Sequence, residues 1–246
     1  MSSGVEPLGG RARWAVIALI AVVVTDLVAI GSDLLEVDLM QDLIDGKDVS
    51  SSKLDADDYR QIGVGLVTLA VYVASIVFFI RWFHRAYSSL PALGAQLRFK
   101  TGWAIGGWFV PIMWFWRPKQ IANDIWRGSD PSTRSLHITK TEVGGLMGVW
   151  WAAWIIDGFI FTRSAAAYAD TPSATDAGIS ALLGDTSGAG DIRSSAILDA
   201  VGSCIDIVAA VLAIVVVRRL TLRFGERESM LASLPAPSEP ATGLAG

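Results

Sequence analysis

The sequence predicts an all-α polytopic membrane helix bundle: four transmembrane helices, with a Trp-rich re-entrant or interfacial segment between the second and third. Three observations predict it. Of 246 residues, 52% are hydrophobic and only 18% are charged, and a soluble core of this size lacks the polar shell to hide so much apolar surface. Four runs, residues 14–30, 62–80, 143–162 and 196–217, approach or exceed the ~20 helical residues that a hydrocarbon core requires. The charged side chains segregate between alternate loops, as positive-inside ordering demands. The same composition excludes a disordered chain and a collagen-like fibre, and the single cysteine, Cys204, excludes a disulfide-stapled secreted domain. A net charge of -4 argues against a nucleic-acid partner.

The first run is read as an uncleaved helix, because Asp26 falls where a cleaved signal sequence tolerates no charge. Gly31, Ser32 and Asp33 are expected to end it. An acidic loop follows, with a short amphipathic helix through Leu34, Leu35, Leu39 and Leu43. The second run offers Thr68, Tyr72 and Ser75 as hydrogen-bonding groups, and the fourth is the most apolar. Residues 171–191 are rich in Gly, Ser, Ala and Asp and are expected to be flexible. A single membrane domain is expected over 1–230, followed by a disordered cytoplasmic tail at 231–246 with Pro235, Pro237 and Pro240.

Residues 102–116 are the fifth apolar run. As a straight helix they reach only ~22 Å, and Pro111 interrupts them. Loop charge separates four crossings from the five-helix alternative. Residues 1–13, 81–142 and 218–246 together carry 15 Lys+Arg against 7 Asp+Glu, whereas 31–61 and 163–195 carry 5 against 13. Both termini and the central segment are therefore expected on the cytoplasmic side of the cytoplasmic (inner) membrane. A fifth crossing would place Arg218, Arg219, Arg223 and Arg227 opposite Arg81 and Arg85.

Six of the ten tryptophans lie between residues 81 and 131, interleaved with arginine. Trp favours the headgroup level, and Arg reaches lipid phosphate bidentately. Arg81, Arg85, Trp103, Trp108, Arg117, Trp126 and Arg127 are therefore the candidate lipid-headgroup or partner surface. This segment also carries RAY at 85–87, LPALGA at 90–95, LRF at 97–99, GWAIGGWFVPI at 102–112, WRP at 116–118 and IWRGSDP at 125–131. With these motifs in this order, the chain resembles domain of unknown function family 4328, multi-span membrane proteins found mainly in actinobacteria. The resemblance runs from about Arg60 to about Phe224. It implies a multi-span membrane fold and supplies no activity.

Three carboxylates fall near mid-membrane. Counted from the cytoplasmic end of their spans, Asp26, Asp157 and Asp206 lie ~18, ~21 and ~16 Å deep. They form the candidate ion or proton site, since acids at that depth usually face a bundle interior or a water-filled path. The bland alternative is that they pair with Ser, Thr and backbone groups to fix packing. Asp199, Ser203 and Asp206 share one face of the last span. No cofactor or metal is expected, because His84 and His137 lack nearby ligand partners and Cys204 is alone. Gly102, Gly106, Gly144 and Gly148 stand at spacings that permit close helix approach, within one chain or in a homo-oligomer.

The functional expectation is a non-enzymatic, partner-binding or scaffold component, with membrane lipids and a membrane-protein partner or a second copy as its contacts. The alternative is a small transporter or channel using the carboxylate layer. A weaker third reading is an enzyme acting on lipid headgroups through His84, Asp124 and Asp130.

Overall fold

The computed structural model describes residues 8–131, 143–169 and 171–233. Among them are seven α-helices and no strand: α1 (Leu8–Ile44), α2 (Ser51–Ser88), α3 (Trp103–Gly106), α4 (Arg117–Gly128), α5 (Gly145–Ala169), α6 (Ala174–Leu182) and α7 (Ser187–Ala232). Four of them, α1, α2, α5 and α7, are long and apolar enough to cross a membrane, and the chain is a membrane protein built on them. Residues 102–116 supply no fifth. They hold the four-residue α3, a bend at Pro111 and a 3-10 turn at Met113–Phe115.

The helices overshoot the runs that announced them. At 1.5 Å per residue, the 37 residues of α1 and the 46 of α7 extend ~55 and ~69 Å, well beyond a ~30 Å core. Gly31, Ser32 and Asp33 do not end α1. A single helical glycine costs only about 1 kcal/mol, and Ser32 is held by α2: its hydroxyl donates to Gln61 Oε1 at 2.9 Å and accepts from Arg60 Nε at 3.0 Å. The helix stops at Gly46, which adopts φ 73°. Residues 171–191, expected to be flexible, instead include α6 and the first turn of α7. Ser173 caps α6, and Asp58 of α2 accepts the Ala174 amide at 2.8 Å. At Gly178 a Cβ would lie 2.3 Å from Leu54 Cδ1, so α6 sits close against α2 and a larger residue would make the tip of Leu54 shift. Of the expected tail, residues 231 and 232 complete α7, and 234–246 lie outside the described residues.

Helix α1 packs along α7 and α2, and α5 packs along α7; α2 and α5 share no comparable seam. The order α2, α1, α7, α5 leaves a groove between the outer pair. Two apolar cores flank it. The larger gathers Trp82, Phe83, Tyr87, Ile121, Trp150, Leu220 and Phe224 at the basic end. The smaller joins Leu39, Met40, Leu43 and Leu54 to Ala174, Ala177 and Ile192 at the acidic end.

Candidate functional site

The antiparallel pairing of α1 and α7 sets two carboxylates of each helix against two of the other. Asp26 and Asp33 are seven residues apart, as are Asp199 and Asp206, so each pair occupies one helix face two turns apart, ~10.5 Å. Asp26 faces Asp206, within hydrogen-bonding reach, and Asp33 faces Asp199. Together they make a ladder of two rungs from the acidic end toward the bundle centre. Asp157 joins from α5, where Asp26 and Asp206 both feel its charge. From α2, the Tyr72 hydroxyl donates to Asp206 Oδ2 at 2.5 Å.

All five carboxylates line one cavity of about 700 Å³, with Gln61, Thr68, Tyr72 and Ser203 among its polar groups. Asp26 is 3% exposed and Asp33 is 2% exposed. The Oδ2 atom of each, and Thr68 Oγ1, lacks a hydrogen-bond partner. Ionised carboxyls set side by side supply no donor to one another, so the rung at Asp26 and Asp206 needs a proton or a cation between its members. Among the described residues that line it, none is Lys, Arg or His. Among the described residues, no three acids draw close enough to form a metal-ligand set.

A second cavity of about 300 Å³ continues toward the basic end, sharing Tyr72, Ile76, Asp157, Phe161 and Asp206 with the first. The Tyr72 and Phe161 rings, stacked with centroids 6.5 Å apart, bridge α2 and α5 at this waist. An aromatic assembly bounds the inner end. Trp108 meets Phe79, Phe83, Trp151 and Trp154 edge-on, with centroids 5.3 to 6.2 Å apart. The outer end leads to a third, shallower cavity through shared Gln61 and Ile62.

The hairpin of residues 102–116 delivers Trp108. Arg117, at its exit, stacks over Phe99 at 4.0 Å and over Trp103, at its entrance, at 5.2 Å, so the segment enters and leaves at the same end of the bundle. Between these points it reaches Gly158 and Phe159 through Trp114 and Phe115. Gly107 allows the turn, since a Cβ there would come within 2.8 Å of Arg117 Cγ and the Trp103 carbonyl. Ile112 carries φ 68°, a left-handed conformation that costs a β-branched residue of order 1–3 kcal/mol. Trp151 donates from its indole to the Phe115 carbonyl at 3.1 Å and secures the return.

None of the seven residues of the expected headgroup platform is fully buried, and six of them, Arg127 included, are half-buried. Arg81 is exposed and Arg85 half-buried; Trp103, Trp108 and Arg117 belong to the hairpin. Trp126 lies under Arg223 at 4.2 Å and against Gly144. Gly102, Gly106 and Gly148 bring no neighbour within 4 Å of where a Cβ would stand, so their spacing is not used for close packing inside this chain. Arg223 and Arg227, which follow the last apolar run, reach α4 and the residues just beyond it. Arg227 is 6% exposed and donates to the Asp130 carbonyl at 3.1 Å, while Arg223 lies 3.6 Å from the Asp130 carboxylate. Asp124 is buried in α4, and burial pushes its carboxyl up to about 6 against the opposing pull of Arg98 and Arg127. His84 is half-buried, Cys204 is exposed, and His137 lies outside the described residues.

The sequence reading missed Asp33 as a site residue, because it ended the first helix too early. The signal was present: Asp26 and Asp33 repeat the spacing of Asp199 and Asp206. The family model described as domain of unknown function (DUF4328) matches residues 45–222, and the chain belongs to that family. No curated protein and no solved structure matches.

Proposed function

Taking membership of that family as the premise, we propose that the protein is a non-enzymatic transport component of the cytoplasmic membrane that binds a proton or cation at mid-membrane and passes it along the carboxylate ladder. One observation carries the reading: Asp26, Asp157 and Asp206, from three different helices, converge on a single cavity whose lining holds no basic residue. Asp26 and Asp33 each keep one carboxyl oxygen without a partner on this cavity, whereas Asp57 and Asp124, which also keep one open, lie outside it. The charge asymmetry of the loops supports an orientation with both ends in the cytoplasm. In that orientation the ladder opens outward, and the hairpin of residues 102–116 is a re-entrant plug that blocks it from the inside.

The test uses the full chain reconstituted in sealed vesicles with an internal pH reporter and an imposed potential. Wild type should pass protons or exchange them for cations, and Asp206→Asn should lower that flux by roughly tenfold or more, the loss of ~1.4 kcal/mol or more of site affinity. Flux equal in the two proteins, or no flux above empty vesicles, overturns the reading. A partner-binding component is the second reading, supported by the exposed Phe109, Val110 and Ile112 at the hairpin bend; it would stand alone if flux were absent.

A further inference from the structure

The carboxylate cavities are not sealed from the side. Ile62, Leu69, Val73 and Ile76 of α2 and Phe161 of α5 line them and are also exposed on the bundle surface, within the apolar stretch of each helix. This follows from the missing seam between α2 and α5. The groove therefore has its acidic floor on α1 and α7, apolar lips on α2 and α5, and an opening at the depth of hydrocarbon.

A small inorganic cation has little use for such walls. Hard ions are held by cages of oxygen, and the carboxylates here are spread along a ladder. Aromatic faces serve a different kind of charge. Tyr72, Phe79, Trp108, Trp154 and Phe161 line the inner cavity beside Asp157 and Asp206, and cations whose charge is spread over an organic frame are attracted to ring faces while their apolar arms are buried. The two cavities, about 700 and 300 Å³, match the space that drug-sized ligands fill. Asp26, buried with an open oxygen in the cavity wall, supplies an unmet negative partner at the floor.

We infer that the groove between α2 and α5 takes a lipophilic organic cation, entering sideways from the bilayer and held by the Asp26 and Asp206 rung under the Tyr72 and Phe161 rings. This deepens the cation-binding reading above and rests on it. The ligand's charge replaces the proton that the rung otherwise needs, and its apolar arms occupy the aromatic inner cavity.

The test titrates tetraphenylphosphonium into the full chain in phosphatidylcholine nanodiscs, read by equilibrium dialysis and by quenching of the cavity tryptophans. Wild type should bind saturably, and Asp206→Asn should weaken binding by roughly tenfold or more. Ile76→Trp keeps every carboxyl but fills the waist, and should weaken binding by roughly threefold or more, with helical content unchanged by circular dichroism. Tetramethylammonium, with the charge but without the large apolar arms, should bind at least roughly tenfold more weakly. Absence of saturable binding, or equal affinity in wild type and Asp206→Asn, overturns the inference. Proton flux that depends on Asp206 without tetraphenylphosphonium binding removes only this ligand class, whereas loss of both removes the underlying reading as well.

Discussion

The two ends of the bundle treat buried charge in opposite ways. At the basic end, Arg227 reaches the carbonyls of Asp130 and Leu93, Arg223 covers Trp126 and approaches Asp130, and Tyr87 both donates to the Phe99 carbonyl and accepts from its amide. Toward the centre and the acidic end, Asp26 and Asp33 are at least as deeply buried and each leaves an oxygen open. Both arrangements remove charge from solvent at a cost of several kcal/mol. The first recovers part of that cost through these bonds, although Arg223 Nε and Asp124 Oδ2 there are also without a partner. The difference lies in what meets the buried charge: arginines meet carbonyls and a carboxylate at one end, whereas carboxylates face one another along the ladder, so stability and flux can be measured separately at the two.

The comparison breaks most visibly at Arg227. Replacing it with Met leaves the Asp130 and Leu93 carbonyls without this donor and should cost about 3 kcal/mol in thermal unfolding followed by tryptophan fluorescence in detergent. Asp206→Asn, on the open side, should leave stability within about 1 kcal/mol of wild type while flux falls. Equal losses at the two sites would erase the distinction.

Asp124 sharpens it, as a buried carboxyl at the basic end with one oxygen unpartnered. Its folded pKa, about 6, lies above the ordinary 3.8. The folded state therefore binds the extra proton, and the associated stability is fully present below the ordinary value and is lost as pH rises through 6. Asp124→Asn should accordingly stabilise the protein by about 2 to 3 kcal/mol at pH 7.5, with the advantage vanishing near pH 4. An advantage that did not change with pH would assign the effect to packing.

The smallest expected effect lies at the acidic end. Asp58 accepts the Ala174 amide at 2.8 Å and the Thr175 hydroxyl at 2.9 Å, and so fixes the first turn of α6. Asp58→Ala should cost about 1 kcal/mol and speed amide exchange in α6 while leaving Trp108 and its neighbours unchanged.

Much of the architecture was legible because hydropathy and loop charge act over long stretches. The four spans, the failure of residues 102–116 to make a fifth, and the grouping of Asp26, Asp157 and Asp206 all follow from length, sign and depth along a helix of fixed rise. Asp33 and α6 were not legible. The Gly31, Ser32, Asp33 sequence is a local stop signal that Arg60 and Gln61 override from another helix, and the Gly- and Ser-rich stretch before α7 folds because Leu54 and Asp58 receive it. The contacts of Arg223 and Arg227 were likewise not legible, since nothing near them in sequence shows that α4 and Asp130 return to meet them.

Amino-acid order alone thus determined that this is a membrane protein, that four helices are long and apolar enough to cross a bilayer, and that acids fall within those apolar stretches, because the transfer cost of each side chain is a local property. Only the tertiary structure decided that those acids pair rung against rung across α1 and α7, that the tryptophans turn inward to close one end, and that the α2 side stays open. Pairing and closure depend on which helices become neighbours, and that choice is made by packing across more than a hundred residues of intervening chain.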